Sequence, residues 1–422
     1  MAEPRTTIVI VYPYKFTEGH YRRFEVAFLA KHVAVEVWDT GYWVHRKFVQ
    51  NVAASSADKN IVAKIGSFLD LLRAVRRLGT KSSNSVVAIT LLRPTNLRDL
   101  ICLLAIRWRA SALVEVLNRG VPGDSSSVAQ EEPKQEKPRV IRKLITGIRL
   151  IREREYARAL RLLHSKVAGV LTDWLSIRPT HRILAGRTME QTYRQESESK
   201  GIAVSAGSSW DFSNSLAYSA LEESAPIDGP YAVLLDSAGA TSASDANVRG
   251  VKPVLSAEQF YPALAVCLDR WEHELDISVV VAAHPRTKWQ DYPEEFGFRK
   301  VYHNRTESLV KHCEFVITRF SAAVSYAVIY NKPIVCIYNE QMRADATTFR
   351  YLQEAAKTLG VSPINVDDPP SSIAQYLSVN KDLYRRYTAD YLTTVVDPKP
   401  NYRVILEDIM GQGSSESNRW RE

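Results

Sequence analysis

The chain alternates between short runs of apolar, largely β-branched residues and longer segments whose apolar residues recur at helical spacing. Runs that are apolar along their whole length are typical of parallel strands covered by helices on both faces. The pattern predicts strands at residues 7–11, 33–38, 85–91, 112–116, 169–171, 182–185, 231–235, 277–283, 315–318 and 333–337. Helical segments, such as residues 62–78 and 256–275, lie between them. This alternation predicts an α/β fold.

Two polar segments divide the chain. Residues 121–138 are rich in Pro, Ser and Gln, which predicts a mobile loop. Residues 221–230 contain two prolines and one glycine, and a predicted strand follows at once. We therefore expect two Rossmann-like domains, residues 1–225 and 226–395, followed by a C-terminal segment and polar tail at 396–422.

The charge balance is moderately basic. Lys and Arg number 55 and Asp and Glu 47, so the net charge is 55 − 47 = +8. This surplus fits a phosphate-bearing ligand or an anionic membrane surface. Part of it lies in a predicted basic helix within residues 140–167, which could bind a membrane surface or an acceptor. The alternative, a solvated surface helix, is favoured because Glu153 and Glu155 dilute the positive charge.

Absent motifs narrow the classes of protein. No GxGxxG follows a strand and no GxxxxGK[ST] occurs, which disfavours a standard dinucleotide enzyme and a Walker-type nucleotidase. The four cysteines stand apart among apolar neighbours, so we expect reduced core residues. No apolar run reaches about 18 residues, and the N-terminal run lacks a basic lead-in and a cleavage site. We therefore expect a cytoplasmic protein that can touch a membrane from that side.

Polar side chains follow the predicted strands of the second half, where open α/β sheets bind their ligands. Asp236 ends the run YAVLLD and either contacts a ligand or holds a turn. His284, Pro285 and Arg286 end the run SVVVAAHPR. The proline fixes the direction of the histidine, which can donate to a phosphate, and the arginine can bind a phosphate or carboxylate through two parallel bonds.

A third group completes this predicted site. Thr306 and Glu307 begin a predicted helix, and the strand after it leads to Arg319, Ser321 and Ala322. A serine at a helix start exposes its hydroxyl beside free backbone N–H groups, and a small neighbour lets a phosphate approach the backbone. The set suits a nucleoside phosphate and a sugar. We expect no metal, because no DxD motif or metal-ligand cluster occurs.

The ordered set LLD…AAHPR…TESLVKHCEFVITRFSAAVSYAVIYNKPI resembles the nucleotide-binding half of GT-B glycosyltransferases of bacterial surface carbohydrate biosynthesis. Its HP motif is similar to that of bacterial sialyltransferases and Kdo transferases, where the histidine contacts the CMP of the donor. The serine before the KPI strand is similar to that of the polymerases that use CDP-glycerol. The resemblance covers residues 228–340 best and extends weakly to the first βαβ unit. It implies an α/β fold of the GT-B type, with two Rossmann-like domains facing each other across a cleft.

The resemblance also implies a reaction. His284 would contact the cytidine monophosphate, Ser321 with its neighbouring amides would hold the phosphate, and Arg286 and Thr306 would support the same site. The enzyme would move a sugar, preferably a nonulosonic acid or Kdo from a CMP-sugar, onto a growing surface glycan such as O-antigen or capsule. Residues 1–225 would then serve the acceptor and 226–395 the donor. We expect inversion, no cofactor and no metal, because such donors carry a single phosphate. Nucleic acid is not an expected partner.

The general base is the least defined part of this prediction. Inversion needs a group in the cleft that takes the proton of the acceptor hydroxyl. In the related sialyltransferases it is an acidic residue of the N-terminal half, in an acidic-acidic-Gly setting without a clear counterpart in this chain. Candidate bases are Glu18, Asp39, Asp173 and Asp211. Glu18 is preferred because it follows the first strand. Candidate contacts to an anionic acceptor, or to a carboxylate of the donor, are His20, Arg22 and Arg23.

Other functions remain open on the same residues. A CDP-glycerol-like phosphotransferase would form a phosphodiester, and a UDP-sugar epimerase would return an altered donor, so product analysis separates both from a glycosyltransferase. A GT-B-like subunit that only binds glycan is a third possibility, because no clear base is present. For that subunit, His284→Ala would change binding and no donor would be turned over.

Overall fold

The computed structural model describes residues 6–45, 60–79, 85–92, 96–119, 167–168, 170–172, 175, 177–219, 225–237, 254–284, 293–319 and 321–411. Several sequence predictions therefore lie outside the described residues. They concern the loop at 121–138, the basic helix within 140–167 apart from its last residue, Asp173, Pro285, Arg286 and the tail beyond residue 411.

The first domain is built on a seven-stranded parallel sheet with the order β3-β2-β1-β4-β5-β6-β7. Its strands are β1 Thr7–Tyr12, β2 Ala34–Asp39, β3 Val62–Lys64, β4 Val86–Thr90, β5 Ala112–Leu117, β6 His181–Ala185 and β7 Ala203–Gly207. The helices that follow these strands are α1 Glu18–Arg23, α2 Val26–Leu29, α3 Gly41–Val44, α4 Phe68–Arg77, α5 Leu97–Arg109, α6 Gly186–Ser199 and α7 Trp210–Tyr218. Fully buried strand residues such as Ile8, Val9 and Ile10 explain why the pattern shows no alternation: both faces of the sheet are covered.

The second domain repeats this plan with six parallel strands in the order β10-β9-β8-β11-β12-β13. They are β8 Tyr231–Leu235, β9 Ser278–Ala282, β10 Val301–Tyr302, β11 Val316–Thr318, β12 Ile334–Tyr338 and β13 Ile364–Asn365. Its helices are α8 Ala257–Leu275, α9 Thr306–His312, α10 Val324–Ile329, α11 Glu340–Ala344, α12 Ala346–Leu359 and α13 Lys381–Tyr387. The last helix, α14 Asn401–Val404, lies in the C-terminal segment. Short 3-10 turns occupy Pro293–Phe296 and Ala374–Tyr376, and π-helical turns occupy Thr388–Leu392 and Ile405–Ile409.

Two parallel, helix-covered sheets confirm the predicted fold class, a GT-B protein with two Rossmann-like domains. In the second sheet the strand order reverses between β8 and β11, which are hydrogen-bonded neighbours. Ligands of such sheets bind in the crevice at the carboxyl ends of the strands on either side of that reversal. The topology therefore directs attention to the residues that follow Leu235 and Thr318.

Some predicted elements were wrong. Residues 170–172 are helical, although 169–171 was predicted as a strand, and residues 62–78 form the strand β3 and then α4. The helix starts late because Ser67 caps it, accepting a hydrogen bond from the Asp70 N–H at 3.2 Å. Strand β7 was missed because AVSAG has a single β-branched residue among Ala, Ser and Gly, which have little β-propensity.

The C-terminal segment returns to the first domain. Val404, Ile405 and Leu406 join the core that covers one face of the first sheet. The side chain of Asn401 bonds the Ser208 backbone twice, accepting from its N–H at 3.1 Å and donating to its carbonyl at 2.8 Å. Two segments of the chain therefore connect the domains: the residues between β7 and β8, and the C-terminal segment.

The described part of the chain contains no helix with the length and hydropathy needed to cross a membrane. All four cysteines are buried and free, which confirms their predicted place in the core. Burial raises the pKa of the Cys336 thiol to about 12, so it stays a thiol at neutral pH.

Candidate functional site

The helix α1 carries Glu18 to the face of the first domain that meets the second. Glu18 is exposed in the first turn of this helix, directly after the loop that follows β1. The next residue touches the other domain: a Cβ placed on Gly19 would lie 2.7 Å from Oδ1 of Asn304. Asn304 follows β10 and has a left-handed backbone, with φ of 58°. Glu18, the preferred base, therefore lies beside the carboxyl edge of the second sheet.

His20 lies on the inner side of α1. Its Nδ1 accepts the Thr17 N–H at 3.1 Å, and its Nε2 lies 2.7 Å from the Tyr12 hydroxyl. Its ring packs against Tyr12, Phe16 and Phe24, and the residue is buried. Both ring nitrogens are occupied by neighbours in the first domain, so the predicted contact with an anion would require His20 to exchange a partner.

Arg22 crosses from the first domain to the second. Its Nη2 lies 3.3 Å from Oε2 of Glu307, and its guanidinium stacks over the Tyr218 ring at 4.1 Å. Glu307 also accepts a hydrogen bond from the Tyr330 hydroxyl at 2.9 Å and one from the Asn214 amide. Burial raises the pKa of Glu307, although Arg22, Tyr330 and Asn214 oppose that rise. Glu307, predicted as a donor contact, is thus held by groups from both domains.

Arg23 makes a second ion pair one position along the same helix. Its Nε lies 3.1 Å from Oδ1 of Asp211, which lies in the first turn of α7 and is buried. The other carboxylate oxygen accepts a hydrogen bond from the Ser325 hydroxyl at 2.8 Å, so Asp211 also connects the two domains. Burial lowers the pKa of Arg23, but Asp211 raises it, and the net shift is upward. The structure places Asp211 in this network, and its predicted role as a base stays a prediction.

The carboxyl end of β8 carries Asp236 and Ser237. Asp236 is buried, and its Oδ2 accepts a hydrogen bond from the backbone N–H of His284 at 3.1 Å. Asp236 therefore fixes the end of β9, which is the turn-holding interpretation of this residue. Within the described part of the chain, the buried hydroxyl of Ser237 has no hydrogen-bond partner.

The end of β11, next to β8 in the sheet, carries Thr318 and Arg319. The Thr318 hydroxyl is buried and unpaired as far as the described residues show. The Arg319 guanidinium lies over the Phe260 ring at 4.8 Å. Burial lowers the pKa of Arg319, and the nearby Tyr261 and Asp236 oppose this. A cation, a carboxylate and two buried hydroxyls therefore meet where the strand order reverses.

His303, which sequence reasoning missed, follows β10 beside this group. Burial lowers the pKa of His303, and Asp236 opposes the shift, so the ring lies within the electrostatic influence of that carboxylate. Strand β10 contains only two residues, and its sequence VY is too short to be recognised as a strand. In the sequence, His303 could have been found only by its position directly after the apolar pair Val301 and Tyr302.

Ser321 and Ala322 lie before α10, not in it. The helix begins at Val324 with Ala323 as its cap, and the Ser321 hydroxyl accepts the Ala323 N–H at 3.3 Å. Ser321 was expected at the helix start, and the structure corrects this, because residues 322–323 form a turn first. Thr306 is the first residue of α9, as the sequence predicted. In the described ranges, no group of three or more His, Cys, Asp or Glu side chains could hold a metal ion.

Replacing Arg22 with glutamine is expected to lower the free energy of unfolding by about 1 kcal/mol, because an ion pair and a cation–π contact are lost. The loss stays small because Glu307 keeps its hydrogen bonds from Tyr330 and Asn214. Urea denaturation measures the change. Arg385→Gln is the matched control, because its ion pair with Asp382 is exposed on both sides. An equal loss in the two variants would contradict a specific contribution of the cross-domain pair.

The two sheets and the polar groups at their carboxyl edges define the class of protein with the GT-B architecture. Among solved structures, the chain is similar to the Methanocaldococcus jannaschii UDP-GlcNAc 2-epimerase in complex with UDP-GlcNAc and UDP (12% identity, TM-score 0.45, covering 97% of this chain and 100% of that one). It is also similar to S. aureus MnaA with UDP (11% identity, TM-score 0.47, covering 96% of this chain and 97% of that one). A third similar structure is CalG4, the calicheamicin glycosyltransferase (13% identity, TM-score 0.43, covering 98% of this chain and 95% of that one). These likenesses concern the fold alone. No protein-family model and no curated protein sequence matches the chain significantly.

Proposed function

We propose that this chain is a glycosyltransferase that takes a nucleotide-activated sugar, preferably a CMP-linked nonulosonic acid or Kdo, and transfers it to a growing surface glycan. The observation that carries the proposal is the group at the reversal of the second sheet: Asp236 and Ser237 after β8, Thr318 and Arg319 after β11. Two of its hydroxyls are buried without partners among the described residues, and a buried unpaired polar group is costly unless a ligand satisfies it.

The proposed mechanism follows from the chemistry of these groups. The hydroxyls and Arg319 bind the donor phosphate, and His284 contacts the nucleotide, as the resemblance implies. Glu18 takes the proton of the acceptor hydroxyl, whose oxygen attacks the anomeric carbon and forms the glycosidic bond. The bond from that carbon to the phosphate oxygen breaks, and CMP leaves with the electron pair. A leaving group with one phosphate is the reason that we propose a reaction without metal.

The proposal extends to the domain organisation of the chain and to its location in the cell. We propose an acceptor-side domain at 1–225, a donor domain at 226–395 and a C-terminal segment at 396–422. The proposed place of action is the inner face of a bacterial cytoplasmic membrane, where lipid-linked glycans grow. The exposed position of Glu18 beside Asn304 supports an acceptor that enters between the domains.

Thr318→Val tests the donor site. The unliganded variant should be at least as stable as the wild type, because an unpaired buried hydroxyl is replaced by a methyl group of similar size. In thermal-shift measurements with CMP, CDP, UDP and GDP, CMP should stabilise the wild type most, and Thr318→Val should lose at least half of that shift. Thr358→Val, on the outer helix α12, should keep the full shift.

The outcomes separate the alternatives. Stabilisation by UDP or GDP without CMP would overturn the donor assignment, and no shift with any nucleotide would overturn the site. Incubation with a labelled CMP-sugar and acceptor should give a glycosidic product that Glu18→Gln abolishes while CMP still binds. A phosphodiester product would identify a phosphotransferase, an altered donor an epimerase, and binding without turnover a non-catalytic subunit.

A further inference from the structure

The outer faces of α4 and α5 expose an unusual number of large apolar side chains. Of the eleven that are exposed among the described residues, five lie on these two helices. They are Phe68, Leu69, Leu97, Leu104 and Trp108, with exposed fractions of 50%, 62%, 47%, 36% and 71%. Leu97, Leu104 and Trp108 follow one another at spacings of seven and four residues, which places them on one face of α5. We call the five residues, together with the arginines described below, the α4/α5 surface.

The two helices lie side by side on one face of the first sheet. Leu71 and Val75 of α4 and Leu103 and Ile106 of α5 share a single core cluster, so the opposite faces of both helices point away from the sheet. Their N-terminal ends meet at Trp43. Its ring centroid lies 6.4 Å from that of Phe68, and its carbonyl accepts a hydrogen bond from Arg98 at 2.7 Å. The exposed apolar residues at the start of α4 therefore approach the start of α5 through Trp43.

The charge around this region is positive. Five arginines of these helices are exposed or partly exposed: Arg73, Arg76, Arg77, Arg98 and Arg107. Asp70 pairs with Arg73 at 3.1 Å and Glu36 of β2 pairs with Arg77 at 2.7 Å, while Asp99 is buried beneath α5. Five positive charges and two negative charges leave an excess of three. A contact between two copies of this surface would oppose the same positive charges, which disfavours a symmetric dimer.

We propose that the α4/α5 surface docks the protein on an anionic lipid bilayer. Trp108 and the leucines enter the headgroup boundary, and the arginines bind the lipid phosphates. Apolar residues with an exposed tryptophan, flanked by arginines on the same helices, are the combination that binds at a membrane interface.

Co-sedimentation with vesicles tests the docking. The full chain should bind vesicles that contain about one third phosphatidylglycerol and should not bind pure phosphatidylcholine, and high salt should weaken the binding. The triple variant Leu97→Gln, Leu104→Gln, Trp108→Gln should bind about tenfold more weakly. Val266→Gln is the control, since Val266 is 68% exposed on α8 of the second domain. Arg76→Gln with Arg107→Gln should remove the preference for the anionic lipid.

Thermal midpoints check that the variants fold. They should match that of the wild type, because all substituted side chains are exposed or partly exposed. The proposal would be overturned if the wild-type protein did not bind anionic vesicles, or if the triple variant bound them as strongly as the wild type. A wild-type dimer that the triple variant converts to a monomer in ultracentrifugation would instead identify a second copy as the occupant and overturn it too. The experiment contains no nucleotide, so its failure leaves the proposed glycosyl transfer untouched.

Discussion

Replacing Asp211 with alanine is expected to lower the free energy of unfolding by about 3 kcal/mol, because the substitution leaves the Arg23 guanidinium without its partner. The Asp211 side chain is 8% exposed and that of Arg23 35%, so the estimate lies at the low end for a buried pair. The substitution also removes the acceptor of the Ser325 hydroxyl bond, which crosses to the second domain. The loss should therefore appear as weaker coupling of the two domains as well as lower stability.

Urea denaturation of Asp211→Ala measures the change, and Asp382→Ala is the control because its pair with Arg385 is exposed. A loss as small as that of the control would contradict the structural role. Asp211→Asn addresses the predicted catalytic role separately. This substitution keeps the size of the side chain. A large fall in turnover in a variant that remains folded would favour Asp211 as the base. An unchanged rate would exclude Asp211 and leave Glu18, Asp39 and Asp173 as the candidate bases.

Strand prediction from the sequence succeeded where the strands are completely apolar. The run YAVLL gave β8 with its exact bounds, since every residue of it is buried in the core of the second domain. Strands β7, β10 and β13 escaped prediction, because β7 is made mostly of small residues and the other two contain two residues each. Their existence depends on pairing with neighbours that are distant in sequence, and no local pattern encodes such pairing.

The candidate site shows the same division. Residues at strand ends, such as Asp236 and Arg319, could be selected because parallel strands present their carboxyl ends at one edge. Their partners could not be selected. Glu307 meets Arg22 across 285 positions of the chain, and Asn214 joins it from a third element. Only tertiary packing brings these groups together, so the sequence could identify the cleft but not the ion pairs that span it.

Glu25 was not singled out at all, yet it leads to a large expected pH effect. It is fully buried at the start of α2, with a left-handed φ of 55°. Its carboxylate accepts hydrogen bonds from the Ser213 hydroxyl and, at 2.7 Å, from the Tyr402 N–H of the returning C-terminal segment. Burial raises the pKa of Glu25 from 4.5 to about 7, although both hydrogen bonds oppose the rise. The folded protein therefore holds this proton more tightly than the unfolded chain does.

Stability should consequently fall as the pH rises. Below pH 4.5 the residue is protonated in both states and Glu25 costs nothing; between pH 4.5 and about 7 only the unfolded chain ionises. The difference in pKa corresponds to about 3 kcal/mol. The free energy of unfolding falls by this amount as the pH rises across that interval, and Glu25 causes no further loss at higher pH. Glu25→Gln should therefore be more stable than the wild type by about 3 kcal/mol at pH 8 and by less than about 1 kcal/mol at pH 5.

Urea denaturation at both pH values measures this difference between Glu25→Gln and the wild type. Comparing the two proteins removes the contribution of Asp39, whose pKa burial raises to about 6 and which titrates in the same direction in both. Glu354→Gln, on the exposed side of α12, should follow the wild type at each pH. If Glu25→Gln differed from the wild type by the same amount at pH 5 and pH 8, its carboxyl group would titrate normally. The contact with the C-terminal segment would then be a solvated one, because burial is what makes ionisation of Glu25 costly.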